Sequence, residues 1–524
     1  MAVPPIHRSP HPAGPRLPWL LDAVLGLLVV AALPLAIVAI PNTLSVVAKL
    51  LPGDIDQIGL MRTHGLALPA LMLTVPLASV ALRRVQAAHL LLAGLTLMAL
   101  SDAAGGYAGS ELLVGAVRVV RGIGAGLILP ATLAAVWERA RVLRALWVGT
   151  FGLSLLAAQA LALWPLDAVS SWKVTLQPYP LVTGVALALA AVHLVGWMLL
   201  GRPSTQAADD EDRGRLLLAV APAAGIAIMA ISTANEGWRA IPVIALAGLA
   251  VVGLLVLASF GPPPNRTLSY SMVAVGVVLL PSAAQVTLME MGGLGGPGLR
   301  GLWVPFGLAG LLAVAAAVAV RLFAGIAARW LVPLGLLAMV AGLCSVRLVV
   351  PAADGLVLVV PFTLLAAGAA VALTAALQEV GFGAAVYGLS LCCAGVLAGF
   401  LLGTGVQMTM FDGVRSAQEL VDRFVGALHW WALIGGFLLV VVIALASVMA
   451  RRPVKEEAPS PDERADAGSA EQPCVGGPAA EGARAGAPPE SAFDTGRPRW
   501  GDERRPEPPA VPPQAHSPED TASA

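Results

Sequence analysis

The stretch that decides the fold is Arg118-Val119-Val120-Arg121-Gly122-Ile123-Gly124-Ala125-Gly126-Leu127-Ile128-Leu129-Pro130. It lies in an apolar run from about Leu112 to Trp137, long enough to cross a bilayer core of ~30 Å. Arg118 and Arg121 stand three residues apart and share one face of a helix. Each costs about 2.5–3.5 kcal/mol at mid-membrane on insertion scales, so such residues mark a function or a specific partner. Gly122, Gly124 and Gly126 follow at alternate positions and let neighbouring backbones come close. Gly122 and Gly126 form a Gly-x-x-x-Gly pair, whose ordinary use is tight helix packing, and Pro130 predicts a kink.

The surroundings are of the same kind. The 524-residue chain is 57% hydrophobic and 12% charged, where a soluble domain carries about 25% charged residues. Apolar runs of bilayer-spanning length recur fourteen times, from 19–40 to 428–449, so the chain reads as an all-α polytopic membrane protein. The first run lacks a small-residue cleavage site and reads as a retained helix. An even span count puts both termini on one side. Sixteen Lys and Arg, including Arg83, Arg84, Arg139, Arg141, Arg144, Arg321 and Arg329, then fall on that side before the tail, against eight opposite. The positive-inside rule makes that side cytoplasmic.

Polar interruptions divide the chain. An N-terminal segment, 1–18, precedes six spans over 19–200. An acidic loop with Asp209-Asp210-Glu211-Asp212 and two extra spans fill 201–267, and six more spans follow over 268–450. The layout predicts two six-helix bundles joined by two linker helices. From Arg451 to the end, Pro, Glu, Ala, Gly and Ser dominate, which predicts a disordered cytoplasmic tail. Ser416 to Trp431, with Leu420, Phe424 and Leu428 on one face, reads as an amphipathic segment on the outer membrane surface, with a folded lid over the outer vestibule as the alternative.

These residues resemble the major facilitator superfamily. Its fourth-helix signature is an arginine, two residues, usually a glutamine, then Gly-x-Gly-Ala and a proline. Arg118, Gly122, Gly124, Ala125 and Pro130 match, and Arg121 stands where glutamine is usual. Leu33 to Pro41 resembles the end of the first helix, and Ser171-Trp172-Lys173 with Pro178 and Pro180 the turn before the sixth. Asn235-Glu236-Gly237-Trp238 is similar to the turn between the extra helices of fourteen-helix members. Ala328 to Gly335, with Arg329, resembles a basic gate loop of the second bundle. The resemblance covers about 19–450 and implies the fourteen-helix drug:proton antiporter branch. Three parts depart from it. Ser79-Val80-Ala81-Leu82-Arg83-Arg84 keeps the gate arginines but lacks the acid and the glycine. Ala162-Leu163-Trp164-Pro165 keeps the antiporter proline but has Trp164 where glycine is expected. The first-helix acid is missing.

The resemblance implies a substrate held near the bilayer midplane between two rocking bundles. Arg118 either snorkels to the outer surface or faces that path; Arg121, one turn deeper, faces the path or is ion-paired. Among candidate acids, Asp22 and Glu379 fall near inner ends and Asp102 and Glu111 near outer ends. Glu290, ending the ninth span, is the favoured partner of Arg118 across an outer gate. His193 would suit proton carriage or simple packing. Gln159, Gln285 and Gln407 line the path or hydrogen-bond between helices.

Two arginines without mid-membrane acids predict a positive path and a neutral or anionic amphipathic cargo. The expected function is secondary active export by alternating access from the plasma membrane, with the bilayer, a small-molecule substrate and protons as partners and the chain a monomer. A transporter-derived sensor or scaffold that no longer transports is the alternative. No Gly-x4-Gly-Lys-Ser/Thr pattern is present, which argues against an ATP-driven pump. No Ser/His/Asp arrangement stands out, and Cys344, Cys392, Cys393 and Cys474 lack metal-ligand spacing. An enzyme, a cofactor, a bound metal and nucleic acid are therefore not expected.

Overall fold

The computed structural model describes residues 17–44, 46, 57–137, 139–167, 171–200, 210–233, 239–291, 296–325, 328–411 and 413–450. The N-terminal segment to Pro15 and Arg16, the Asn235–Trp238 turn, most of the acidic loop, the tail from Arg451 and the side chain of Arg329 lie outside them.

Among the described residues, fourteen spans are long and apolar enough to cross a membrane, as the hydropathy pattern predicts. The first six are α1 (Leu17–Val38), α2 (Gln57–His64) with α3 (Ala67–Ala81), α4 (Ala87–Gly105), α5 (Glu111–Trp137), α6 (Arg141–Leu163) and α7 (Pro180–Leu200). The linker pair is α8 (Asp210–Thr233) and α9 (Ala240–Ala258). The last six are α10 (Pro263–Glu290), α11 (Gly298–Phe323), α12 (Ala328–Val349), α13 (Val359–Ala376), α14 (Phe382–Phe411) and α15 (Ala417–Ala450). The near end of the molecule is the one where α1 begins and α15 finishes; the far end is opposite.

Two boundaries move for physical reasons. Gly261, at φ +104°, makes the turn after α9, and Pro263 and Pro264 open α10 instead of preceding it. A proline's fixed φ and missing N–H are harmless in a helix's first turn. The predicted surface segment from Ser416 to Trp431 is corrected: α15 runs through it without a break. Most of its apolar face packs on protein, with Leu428 and Trp431 buried and Leu420 left exposed, and Phe424 stacked on Phe411 at 5.8 Å between ring centroids. At ~1.5 Å per residue the helix is about 50 Å long, well beyond a bilayer core.

Glycines set the packing inside each bundle. On α5, a side chain at Gly122 would strike the Ala67 carbonyl, and a Cβ at Gly126 would lie 2.6 Å from that of Thr74, so both face α3. Gly124 faces the other way, where a Cβ would lie 2.7 Å from the Gly94 carbonyl oxygen of α4. The alternate spacing thus serves two neighbours at once. The second bundle repeats this crossing. Gly335 of α12 lies against Gly368 of α13, a Cβ at either coming within 2.5 or 2.6 Å of the other's carbonyl oxygen. Met98 packs on Gly124 and Met339 on Gly368, each methionine four residues after its helix's crossing glycine.

The bundles meet along a seam. On one side α6 packs on α11, where Gly149 lies against Val314 and Gly310 against Leu153. On the other, α3 meets α14, and α8 lies against both of them. The linker pair therefore flanks one edge of the seam.

Candidate functional site

The two arginines of α5 are buried inside the first bundle. Arg118 is 2% exposed and Arg121 0%. Arg118 donates from Nε to the His64 carbonyl at 2.7 Å, and from Nη2 to the carbonyls of Ala39 and Pro41 at 2.8 and 3.2 Å. Those oxygens sit where α1 and α2 end, and a helix's last carbonyls have no partner within the helix. The guanidinium meets them in a fork that a point charge such as Lys lacks. Its energy thus goes into joining two helix ends to α5. The expectation that Arg118 pairs with Glu290 is corrected: Glu290 belongs to the second bundle, where its Oε1 accepts from the Ala352 N–H at 2.9 Å. The residue is 0% exposed, and its buried Oε2 meets no donor.

Arg121 is ion-paired. Its Nη1 donates to Asp102 Oδ1 and to the Leu176 carbonyl, each at 2.5 Å. Asp102 Oδ2 accepts from the Thr183 hydroxyl at 2.7 Å. The pair lies within a single bundle, tying α4, α5, the turn before α7, and α7 itself. Close passage of α4 and α5 at Gly94 and Gly124 brings the two side chains together on the far-end side of the crossing. Asp102 is the residue that sequence reasoning passed over as a partner. The signal was present: Gly94, Met98 and Asp102 follow at i, i+4 and i+8, one face of α4, and the first two touch α5.

His64 completes the cluster. Its Nε2 lies 3.3 Å from the Thr175 hydroxyl, which itself donates to the Trp172 carbonyl at 2.7 Å. With that hydroxyl proton committed, His64 donates from Nε2. Its Nδ1 is buried without a partner, as are Nε and Nη2 of Arg121. The cluster holds two guanidiniums against one carboxylate, with polar atoms to spare.

The remaining predicted residues are scattered. Gln159 on α6 and Gln285 on α10 are buried, while Gln407 on α14 is half-buried. No side-chain hydrogen bond joins any of the three to another described residue, and Gln285 Oε1 is buried unmet. His193 is buried on α7, a helix that packs on α1 and α4 inside the first bundle. Pro130 is buried within α5. Pro165 sits in the 3-10 turn Trp164–Asp167 that ends the fifth span. Arg83 and Arg84 follow α3 at the near end.

Thin contacts close the seam at both ends. At the far end Arg300 Nε lies 2.9 Å from Asp167 Oδ2 across the bundles. At the near end the rings of Trp137 and Phe382 lie 5.8 Å apart. A cavity of about 510 Å³, lined by Thr267, Trp330, Pro333, Glu379 and Ser447 among others, opens at the near end of the second bundle and not between the bundles.

No family model matches the chain, and no curated protein matches it in sequence. Solved structures do. One is the major facilitator superfamily proton:xylose symporter XylE bound to 6-bromo-6-deoxy-D-glucose. The match has a TM-score of 0.51 and 14% identity, and covers 82% of this chain and 95% of that one. Another is a bacterial homologue of the human drug peptide transporters PepT1 and PepT2, with TM-score 0.51 and 14% identity over 83% of this chain and 99% of that one.

Proposed function

We propose, from the premise that this multi-pass membrane protein has the major facilitator superfamily fold, that it is a secondary active transporter working by alternating access. The observation that carries the reading is a contrast in strength. Each bundle is locked internally by glycine crossings, and the first also by buried charge. Between the bundles α6 also packs closely on α11, but at the two ends of the seam the closures described above are one exposed ion pair and one aromatic contact. An exposed pair is worth about 0–1 kcal/mol, so the bundles can rock as bodies while their ends open in turn.

The charge bias supports an orientation with both termini in the cytoplasm, and the membrane is the plasma membrane. The direction is export, and the cargo is a small amphipathic molecule, neutral or anionic. What supports that cargo is the excess positive charge of the buried cluster in the first bundle, two guanidiniums, Arg118 and Arg121, with the single carboxylate of Asp102. The two arginines act on the path through the bundle that they hold, and not by direct contact. Protons are the coupling ion, and Glu290, with a buried oxygen that no donor meets, is the first carboxyl to test.

The experiment is substrate-driven proton movement in proteoliposomes holding the purified full chain. Neutral or anionic amphiphiles should drive it, and Glu290→Gln should reduce it at least tenfold. Flux driven by lipophilic cations alone would overturn the cargo assignment. Absence of flux with every class, beside normal folding, would favour the sensor or scaffold reading.

A further inference from the structure

The cavity of about 510 Å³ at the near end of the second bundle has the size of a small-molecule site, such sites running to roughly 300–1,000 Å³. It sits inside one ring of helices: α10 packs on α13, α13 on α12, α12 on α15, and α15 back on α10. Its walls are the first turns of α10 and α12, the end of α13 with Glu379 just beyond it, and the last turns of α15. All its described lining residues belong to the second bundle. It is therefore separate from any path between the bundles.

The repeat between the bundles shows why this space is open. His89 stands five residues before the crossing glycine Gly94, and Trp330 five before Gly335. In the first bundle His89 meets the Trp197 ring of α7 edge to face, with centroids 5.9 Å apart. Helix α15 is the sixth span of its bundle, as α7 is of the first. To the cavity it brings Ile443, Ala446 and Ser447, and no ring. Pro263, Pro264 and Pro333 line the walls, and their fixed φ restrains the backbone from closing the gap.

The lining chemistry selects the guest. Val332 and Leu336 are buried and give the cavity an apolar wall. Glu379 is the only charged side chain among the described lining residues; it is exposed, at the mouth. Among the described residues no cation forms an ion pair with it. Arg266, in the same turn of α10 as Thr267, donates to the Gly261 carbonyl. The Thr267 hydroxyl donates to the Pro263 carbonyl at 3.1 Å, which leaves its oxygen to accept. Trp330 adds an indole, whose face attracts a cation. We infer that the cavity binds a small amphipathic amine, its apolar ring among the buried side chains and its ammonium at the mouth beside Glu379. Because one bundle supplies all the walls, the amine rides with that bundle whichever end of the seam is open. It is a modulator of the protein and not its cargo.

The test is binding of 2-naphthylethylamine to the purified full chain in nanodiscs of zwitterionic lipid, with empty discs subtracted and 2-naphthylethanol as the uncharged control. The amine should bind saturably at one site, several-fold more tightly than the alcohol. Glu379→Gln should weaken the amine several-fold and leave the alcohol unchanged. Ala446→Trp, which gives α15 a ring as α7 has one, should abolish binding of both and keep the thermal midpoint. Bridging cysteine pairs at 137/382 or at 167/300 should leave the affinity the same. Equal binding of amine and alcohol, both indifferent to Glu379→Gln, would overturn the inference. So would binding that survives Ala446→Trp in a folded protein, or an affinity that differs between the two bridged forms, since either places the amine elsewhere.

Discussion

Arg121 and Asp102 show how a costly residue is kept in a membrane. A lone guanidinium at that depth is expensive. The carboxylate, the Leu176 carbonyl and the Thr183 hydroxyl make it affordable in place, at the cost of tying three spans together. Removing one member of a buried pair typically costs about 3–5 kcal/mol, because the other charge is stranded. Asp102→Asn and Arg121→Gln should therefore each lower the thermal midpoint sharply, whereas the double variant should lose less than the sum. Unfolding midpoints of all four proteins close the cycle, and additive losses would mean the two do not interact. In the sequence, both arginines and their shared face were legible. Their partners were not, because acids were ranked by depth along separate helices. Depth says nothing about which backbones cross, and the crossing at Gly94 and Gly124 is what delivers Asp102. Glu290 was attractive for the converse reason: it lies at a suitable depth but on a bundle whose own Ala352 N–H holds it.

At the scale of elements, the glycine crossings carry the architecture. Gly94–Gly124 and Gly335–Gly368 occupy corresponding places, the third and fourth spans of each bundle. The matching pattern Gly94-Leu95-x-x-Met98 and Gly335-Leu336-x-x-Met339 was written in the sequence, but a five-residue likeness carries weight only when its geometry is seen to repeat. Gly124→Ala and Gly368→Ala should both destabilise, since a Cβ at either meets backbone at under 3 Å. Gly248→Ala on α9, where nothing lies within 4 Å, should be neutral or slightly stabilising, as removing a helix glycine is worth roughly 0.5–1 kcal/mol. Yield and thermal midpoint in detergent report all three. The membrane-surface placement of Ser416 to Trp431 failed at this same scale. An apolar stripe fits a lipid surface and a protein neighbour equally well, and only the contact of Phe424 with Phe411 tells which is used.

For the whole molecule, span number and the six-two-six layout were legible because bilayer thickness fixes helix length and polar breaks fix the joints. The seam was not, since its contacts join residues far apart in sequence: Asp167 to Arg300 at the far end and Trp137 to Phe382 at the near end. If these are the two gates, cysteine pairs at 167/300 and at 137/382, bridged by a short bifunctional thiol reagent, should each stop net flux in proteoliposomes and leave folding intact. Unimpaired flux with either bridge complete would rule out that closure as a gate.

The three carbonyls held by Arg118 have a consequence for the order of assembly. The C-terminal ends of α1 and α2 present backbone oxygens whose partner arrives only with the fourth span. The Arg121 pair in turn waits for Leu176 and Thr183, which come just before and within the sixth span. The polar locks of the first bundle therefore close in sequence as the chain lengthens, and the last closes when the sixth span is in place. Until then the nascent bundle carries stranded charge, a mark by which a membrane quality-control system could tell an unfinished bundle from a finished one.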